Sequence, residues 1–191
     1  MWHQARTAIA LFIMMTLLTG VVYPLLITGL TAVLFPYQSG GSIIMKGEKK
    51  TASQLIGQEF NSPRYFWGRP SATTPAGYNA ASSTGSNLGP SNPDLKKSIS
   101  VRLAALRSAD PDNRMPVPAD LVTASASGLD PHISPAAAAW QAPRIARQRG
   151  LALDRVQSLI EKHTEGRQFG VLGEARVNVL QLNLALDAIR R

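Results

Sequence analysis

Residues 8–35 read AIALFIMMTLLTGVVYPLLITGLTAVLF, a run of 28 without one charge. No other stretch limits the possible architectures so strongly. About 20 apolar residues cross a hydrocarbon core of about 30 Å, so this run can cross with tilt or a kink. Pro24 lies near its middle, with Gly20 and Gly29 on either side. In water proline would break such a helix, because it lacks a backbone donor and its ring crowds the preceding turn. In lipid, neighbouring helices or hydroxyl side chains can satisfy the freed groups. The competing reading is a cleaved signal peptide, whose apolar core would span about 7–15 residues and end at small residues. The run here ends in Leu34-Phe35-Pro36. The expectation is a tail over 1–7, a transmembrane helix over 8–35, a linker over 36–50 and a soluble domain over 51–191.

Thr16, Gly20, Pro24 and Thr28 recur every four residues. On a helix they form a stripe of small or weakly polar groups, which lets helix backbones approach closely in lipid. The stripe reads as a docking face for another membrane helix; the alternative is a lone anchor whose small residues face lipid. Orientation stays open on charge alone. Lys46, Lys49 and Lys50 favour a cytoplasmic domain, but Arg6 is close to the helix and Lys46 lies eleven residues beyond it. Long domains also translocate largely regardless of charge.

The chain beyond the run carries 19 of the 20 lysines and arginines and all 12 acids, a net of +7. Such a balance suits a nucleic acid or an anionic surface. Charged residues make up only 17% of the chain, however, and no nucleic-acid motif is present. Arg144, Arg147 and Arg149 form the nearest thing to a cluster and read as a solvated basic surface. Cysteine is absent, which excludes disulfides and thiolate chemistry.

The soluble part reads as one helix-rich α+β domain. One or two helical turns are expected within 51–58, and Tyr65-Phe66-Trp67 reads as a strand or a buried turn. Residues 68–93 hold one charge, Arg69, among 26. Composition alone describes a disordered linker. Asn92-Pro93-Asp94 then announces a helix, with an N-cap, proline at the first position and an acid in the first turn. Asp110-Pro111-Asp112-Asn113 ends it, and Pro118 opens a short helix. Ser134-Pro135 starts another that stops at Gly150, with Pro143 expected to kink or divide it. Further helices are expected over 154–163 and 177–189.

Chemical motifs are few. Five residues, not four, separate Gly41 from Gly47, and Glu48 rather than lysine follows, so this is not a Walker loop. His3, His132 and His163 make no metal-ligand spacing. Asp130 and His132, with Ser125, Ser127 and Ser134 nearby, could be arranged as a membrane-anchored serine hydrolase. The stretch lacks the G-x-S-x-G elbow, and it reads equally as a turn in which Asp130 bonds its own backbone before Pro131.

Four stretches together are familiar: Tyr65-Phe66-Trp67-Gly68-Arg69-Pro70-Ser71, Ser83-Thr84-Gly85-Ser86-Asn87-Leu88-Gly89-Pro90, the run from Thr123 through Gly128-Leu129-Asp130-Pro131-His132 to Ser134, and Arg176-Val177-Asn178-Val179-Leu180. In this order they resemble the C subunit of the bacterial Kdp-type potassium-transporting P-type ATPase, over essentially the whole chain. Ala126 stands where that family often has glycine.

The resemblance implies a non-catalytic subunit of a high-affinity, ATP-driven potassium uptake complex. Its partners would be an ATP-hydrolysing P-type subunit, a channel-like potassium-binding subunit and a small membrane peptide. It also implies a single-pass protein of the bacterial inner membrane, with a cytoplasmic N-terminus and a periplasmic domain. No cofactor is expected on this chain itself; ATP belongs to the complex. Two roles are associated with the family. In one, the subunit is a catalytic chaperone that raises ATP affinity, with Ser125, Ser127 and Gly128 compared to an ABC signature loop and Gln141 touching nucleotide. In the other, the domain caps the potassium entrance, where acids such as Asp94 or Glu174 would line the way. A periplasmic domain cannot reach cytoplasmic ATP; Gln141 would then satisfy backbone groups near Pro143. The resemblance also implies that 68–93 is ordered against a partner, as a polar docking surface.

Overall fold

The computed structural model describes residues 1–189. It divides into two compact units, Met1–Ser53 and a second beginning at Gln54.

The first unit is dominated by one apolar helix over Trp2–Leu34, long enough for a membrane span. At 1.5 Å per residue it measures roughly 50 Å, more than a hydrocarbon core requires. It comprises α1 (Trp2–Leu17), a π-helical turn (Leu18–Val22) and α2 (Tyr23–Leu34). The wide turn sits directly before Pro24. Proline has no N–H to return to the carbonyl four residues back, and Tyr23 N–H donates to Leu18 O, five residues back. The helix is thus widened rather than broken. Thr19 and Thr31 return their hydroxyls to Met15 O and Ile27 O, at 2.7 and 2.8 Å, so the polar side chains satisfy themselves along the helix.

The linker expected over 36–50 is a folded segment. A single turn, α3 (Pro36–Ser39), leads into an antiparallel hairpin of β1 (Ile43–Lys46) and β2 (Lys49–Ser53). Gly47 takes φ 64° in its tight turn, a conformation glycine adopts without strain. The helical turns expected within 51–58 do not form: 51–53 complete β2, and no helix covers 54–58. Lys46, Glu48, Lys49 and Lys50 make the hairpin charged and short, which hides it from strand propensity.

The second unit is helix-rich. Its helices are α4 (Pro93–Ala109), α5 (Pro135–Arg149), α6 (Leu153–Lys162) and α7 (Val179–Ala188). A small antiparallel sheet runs in the order β3 (His132–Ile133), β5 (Arg176–Asn178), β4 (Thr164–Glu165). The local signals behave as expected. Asn92 accepts from Asp94 N at 2.9 Å, Ser134 from Ala137 N at 3.0 Å, and Gly150 closes α5 at φ 65°. Pro143 does not divide α5, which runs through it as one helix. Ala137, Ala138, Trp140, Ala142, Ile145 and Ala146 are all buried, so packing along α5 outweighs the one missing bond. Val177 was expected to begin the last helix; it lies in β5 opposite Ile133 and Thr164. Asn178 ends that strand and caps α7, accepting from Gln181 N at 3.1 Å.

Tyr65-Phe66-Trp67 forms no strand; it is the buried-turn alternative. Phe66 is fully buried and its backbone is clamped by one side chain. Asn183 accepts from Phe66 N at 2.9 Å and donates to Phe66 O at 3.0 Å. Gln141 does the same to Trp67, at 2.8 and 3.1 Å. A primary amide offers one donor edge and one acceptor edge, so each of these two side chains stands in for a neighbouring strand. Buried backbone groups must be paired somehow, and here the helices α5 and α7 supply the partners.

Candidate functional site

The family-like stretches converge where residues 68–93 lie against 123–132. This segment has almost no regular structure, yet its hydroxyls tie it to its own domain. Ser71 Oγ donates to Gly128 O at 2.7 Å and accepts from Tyr78 N at 2.9 Å. Thr73 Oγ1 donates to Ala76 O at 2.7 Å and accepts from Asn79 N at 3.0 Å. Ser83 donates to Ser127 O at 3.0 Å. The disorder suggested by composition is therefore not found, and these bonds hold the segment against its own domain. Tyr78 is the pivot. Its hydroxyl donates to Arg69 O at 2.6 Å, and burial pushes its pKa up to about 12. Its ring covers Gly57 so closely that a Cβ there would meet the ring at 2.3 Å.

The Ser125–Gly128 run is a tight turn. Ser125 is buried and its Oγ accepts from Gly128 N at 2.9 Å. Ser127 is exposed and its Oγ accepts from Leu129 N at 3.1 Å. Gly128 has φ 67°, and a Cβ would lie 2.5 Å from Thr73 Cγ2 and 2.6 Å from Thr84 O. Glycine at this position answers to the packing of loop on turn.

Beside the turn, Asp130 accepts from His132 N at 3.0 Å and lies 3.3 Å from His132 Nδ1. This is the backbone-bonding turn that the sequence allowed. Arg69 reaches across from the loop, donating to Asp130 Oδ2 at 3.2 Å and to Ala124 O at 3.1 Å. Burial raises the Asp130 pKa, but the His132 bonds and the Arg69 charge outweigh it and hold the carboxyl below its usual value. An open cleft of ≈ 410 Å³ is lined here by Arg69, Asp120, Asp130, His132, Ser134 and Glu174, among others.

No hydrolytic triad is assembled there. Ser125 and Ser127 accept local backbone donors, Ser134 Oγ caps α5, and among the described residues no serine bonds to His132. Nor do the described residues contain a group of three or more histidines and acids that could hold a metal ion.

Gln141 is fully buried. Besides its two bonds to Trp67, its amide donates to Ala137 O at 3.3 Å and its oxygen accepts from Arg144 at 2.7 Å. It does satisfy backbone groups, but those of Trp67 and Ala137 rather than the carbonyl freed by Pro143. Of the arginines expected as a solvated basic surface, Arg147 is exposed, whereas Arg144 and Arg149 are built into the domain. Arg144 is 1% exposed. It donates to Pro63 O and, at 3.1 Å, to Tyr65 O, and it stacks 5.1 Å from the Trp67 ring centroid. Burial pulls its pKa down to about 10, which leaves it charged at neutral pH. Arg147 pairs with the fully buried Asp110 carboxylate. Arg149 donates to Arg64 O at 2.8 Å and to Asp187 at 2.7 Å, over the Tyr65 ring.

Thr16, Gly20, Pro24 and Thr28 are all exposed on the apolar helix. Asp94 is exposed in the first turn of α4. Glu174 lines the Asp130 cleft and pairs with Arg167 at 2.6 Å. Sequence reasoning missed Asn183, whose polar group on an apolar helix was the available signal.

The chain matches the family model described as KdpC: K+-transporting ATPase, c chain, over residues 5–188. Among curated proteins it is 60% identical over 186 residues to the potassium-transporting ATPase KdpC subunit of Dechloromonas aromatica, covering 97% of each chain. Against the Methylococcus capsulatus KdpC subunit the identity is 60% over 190 residues and all of both chains. The Polaromonas naphthalenivorans KdpC subunit is 60% identical over 185 residues, 97% of this chain and 94% of that one.

Proposed function

The chain belongs to the KdpC family, the c chain of K+-transporting ATPases, and on that premise we propose that it is a non-catalytic, membrane-anchored subunit that assembles and stabilises such a transporter. The observation that carries this reading is the end-to-end identity of 60% to KdpC subunits. The partners are an ATP-hydrolysing P-type subunit, a channel-like potassium-binding subunit and a small membrane peptide. The stripe of Thr16, Gly20, Pro24 and Thr28 faces one of their helices, where small residues permit close approach. The chain crosses the bacterial inner membrane once, with its N-terminus in the cytoplasm and its domain in the periplasm, over the potassium entrance.

Of the two roles associated with the family, the reading adopted is the outer cap, because the burial of Gln141 and Ser125 disfavours direct nucleotide contact. Gln141 is fully buried and its amide is engaged with Trp67, Ala137 and Arg144. A nucleotide could reach it only if that clamp opened. Ser125 is likewise buried in its own turn.

Two measurements test the proposal. The first is mild-detergent purification of the full chain from potassium-starved cells; a P-type subunit and a channel-like subunit should accompany it in fixed ratio. The chain emerging alone, with those partners demonstrably expressed, would sink the assembly reading. The second exploits the absence of native cysteine. A single cysteine at exposed Ser127 should react with a membrane-impermeant thiol reagent in intact spheroplasts. Labelling only after lysis would place the domain in the cytoplasm and reopen the nucleotide role.

A further inference from the structure

Between β4 and β5 the chain makes a short excursion over residues 166–174, every one of them exposed. Its tip carries three large apolar side chains: Phe169 is 85% exposed, Val171 71% and Leu172 57%. The excursion is nevertheless well defined. Gln168 and Leu172 exchange both backbone bonds at 2.9 Å, with Gly170 N donating to Arg167 O at 3.1 Å across the turn. Phe169 itself takes φ 53°, a left-handed conformation that a bulky residue adopts only at a cost. The loop holds its aromatic ring out in water at the expense of local comfort.

We propose that residues 167–172 form a preorganised apolar knob that inserts into an apolar socket on another subunit of the transporter, an inference that rests on the assembly reading above. A contiguous exposed apolar tip marks an interaction site. Being convex, the knob does not enclose a small molecule, which needs a concavity. Being already bonded, it loses little conformational freedom on docking, and that favours affinity. A single aromatic with two aliphatic neighbours matches the size of an interface anchor around which a larger contact is built.

Charge distinguishes a protein socket from a lipid surface. Loops and helices that lie in a membrane interface combine apolar side chains with free lysines and arginines for the headgroups. Here both arginines at the base are paired, Arg167 with Glu174 at 2.6 Å and Arg176 with Glu165 at 2.9 Å. The knob therefore stands on a neutral collar, suited to a socket with an uncharged rim.

The test is made in the complete complex in its native membrane. Phe169→benzoylphenylalanine is irradiated, and Phe169→Ser/Leu172→Ser is carried through the same purification as the natural chain. The expected results are a covalent adduct with another subunit and recovery of those subunits with the double variant reduced about tenfold or more, as for an interface anchor. Because the side chains are exposed, the double variant should unfold at the same temperature as the natural chain. An adduct with lipid only, with a second copy of this chain, or with nothing, while the subunits still co-purify, would overturn the knob alone. Failure of the natural chain to bring down any ATPase subunit would overturn the assembly reading and the knob with it.

Discussion

Gln141, in the middle of α5, accepts from Trp67 N at 2.8 Å and donates to Trp67 O at 3.1 Å. Both of these residues are buried, so the two bonds have no competition from water. Truncating the amide leaves two backbone groups unsatisfied and removes one partner of Arg144. Gln141→Ala should therefore destabilise the chain by about 2–4 kcal/mol, read as a lower urea midpoint in the detergent-solubilised full-length protein. An unchanged midpoint would mean that the clamp is ornamental.

Gly128 and Gly150 share nearly the same φ, 67° and 65°, in different surroundings. At Gly150 a Cβ meets nothing within 4 Å, whereas at Gly128 it would meet Thr84 O at 2.6 Å. Gly150→Ala should cost only the left-handed penalty, about 1 kcal/mol. Gly128→Ala adds a backbone clash and should cost about 1–3 kcal/mol more. Thermal unfolding of the two variants side by side decides it; equal losses would show that the loop moves freely off the turn.

Asp130 contributes to stability in a pH-dependent way. Its carboxyl titrates below the unfolded value, which is about 3.9. Its contribution is thus complete above about pH 4 and is lost as pH falls through the folded value. Asp130→Asn should melt at a lower temperature than the natural chain at pH 7, and the two melting curves should approach one another below about pH 4. A gap that persists undiminished at pH 3 would contradict this.

Tyr78 gives the opposite limb. With its folded pKa near 12 and an unfolded value of about 10, its contribution is complete below about pH 10 and fades as pH rises through 12. Tyr78→Phe removes the 2.6 Å bond to Arg69 O and should cost about 0.5–1.5 kcal/mol at pH 8. Chemical denaturation between pH 8 and 11.5 should show that difference narrowing at the alkaline end.

What could be read from the sequence was local. The caps at Asn92 and Ser134 and the stop at Gly150 depend on residues within a turn of one another, and each stands where expected. The membrane helix follows from composition alone. The clamps on Phe66 and Trp67 join residues 117 and 74 positions apart; Asn183 stands out as a polar group on an apolar helix, but nothing local names Phe66 or Trp67 as the backbone to be clamped. Charge misled for a related reason: a sequence counts Arg144 as a cation but cannot say that it is buried under Trp67. Residues 68–93 misled because composition measures apolar content, whereas this loop is ordered by hydroxyls at Ser71, Thr73, Tyr78 and Ser83 bonded to backbone. The hairpin over 43–53 was lost among lysines, and Val177 read as helix because an apolar residue before a cap suits either element. The Gly128 environment, by contrast, gives a geometric reason for a motif first noticed only as a resemblance.

The wide turn at Leu18–Val22 bears on how the apolar helix presents itself to a neighbour. Positions four apart wind steadily around a regular α-helix, by about 40° at each step. Thr16 and Thr28 would end roughly 120° apart on that count. One π-turn takes up about one extra residue and so sets the phase back by about 100°. The two threonines then return to nearly the same azimuth, with Gly20 and Pro24 between them. The turn that accommodates proline thus acts as a vernier, keeping a four-residue spacing aligned on one side over the roughly 18 Å of helix from Thr16 to Thr28.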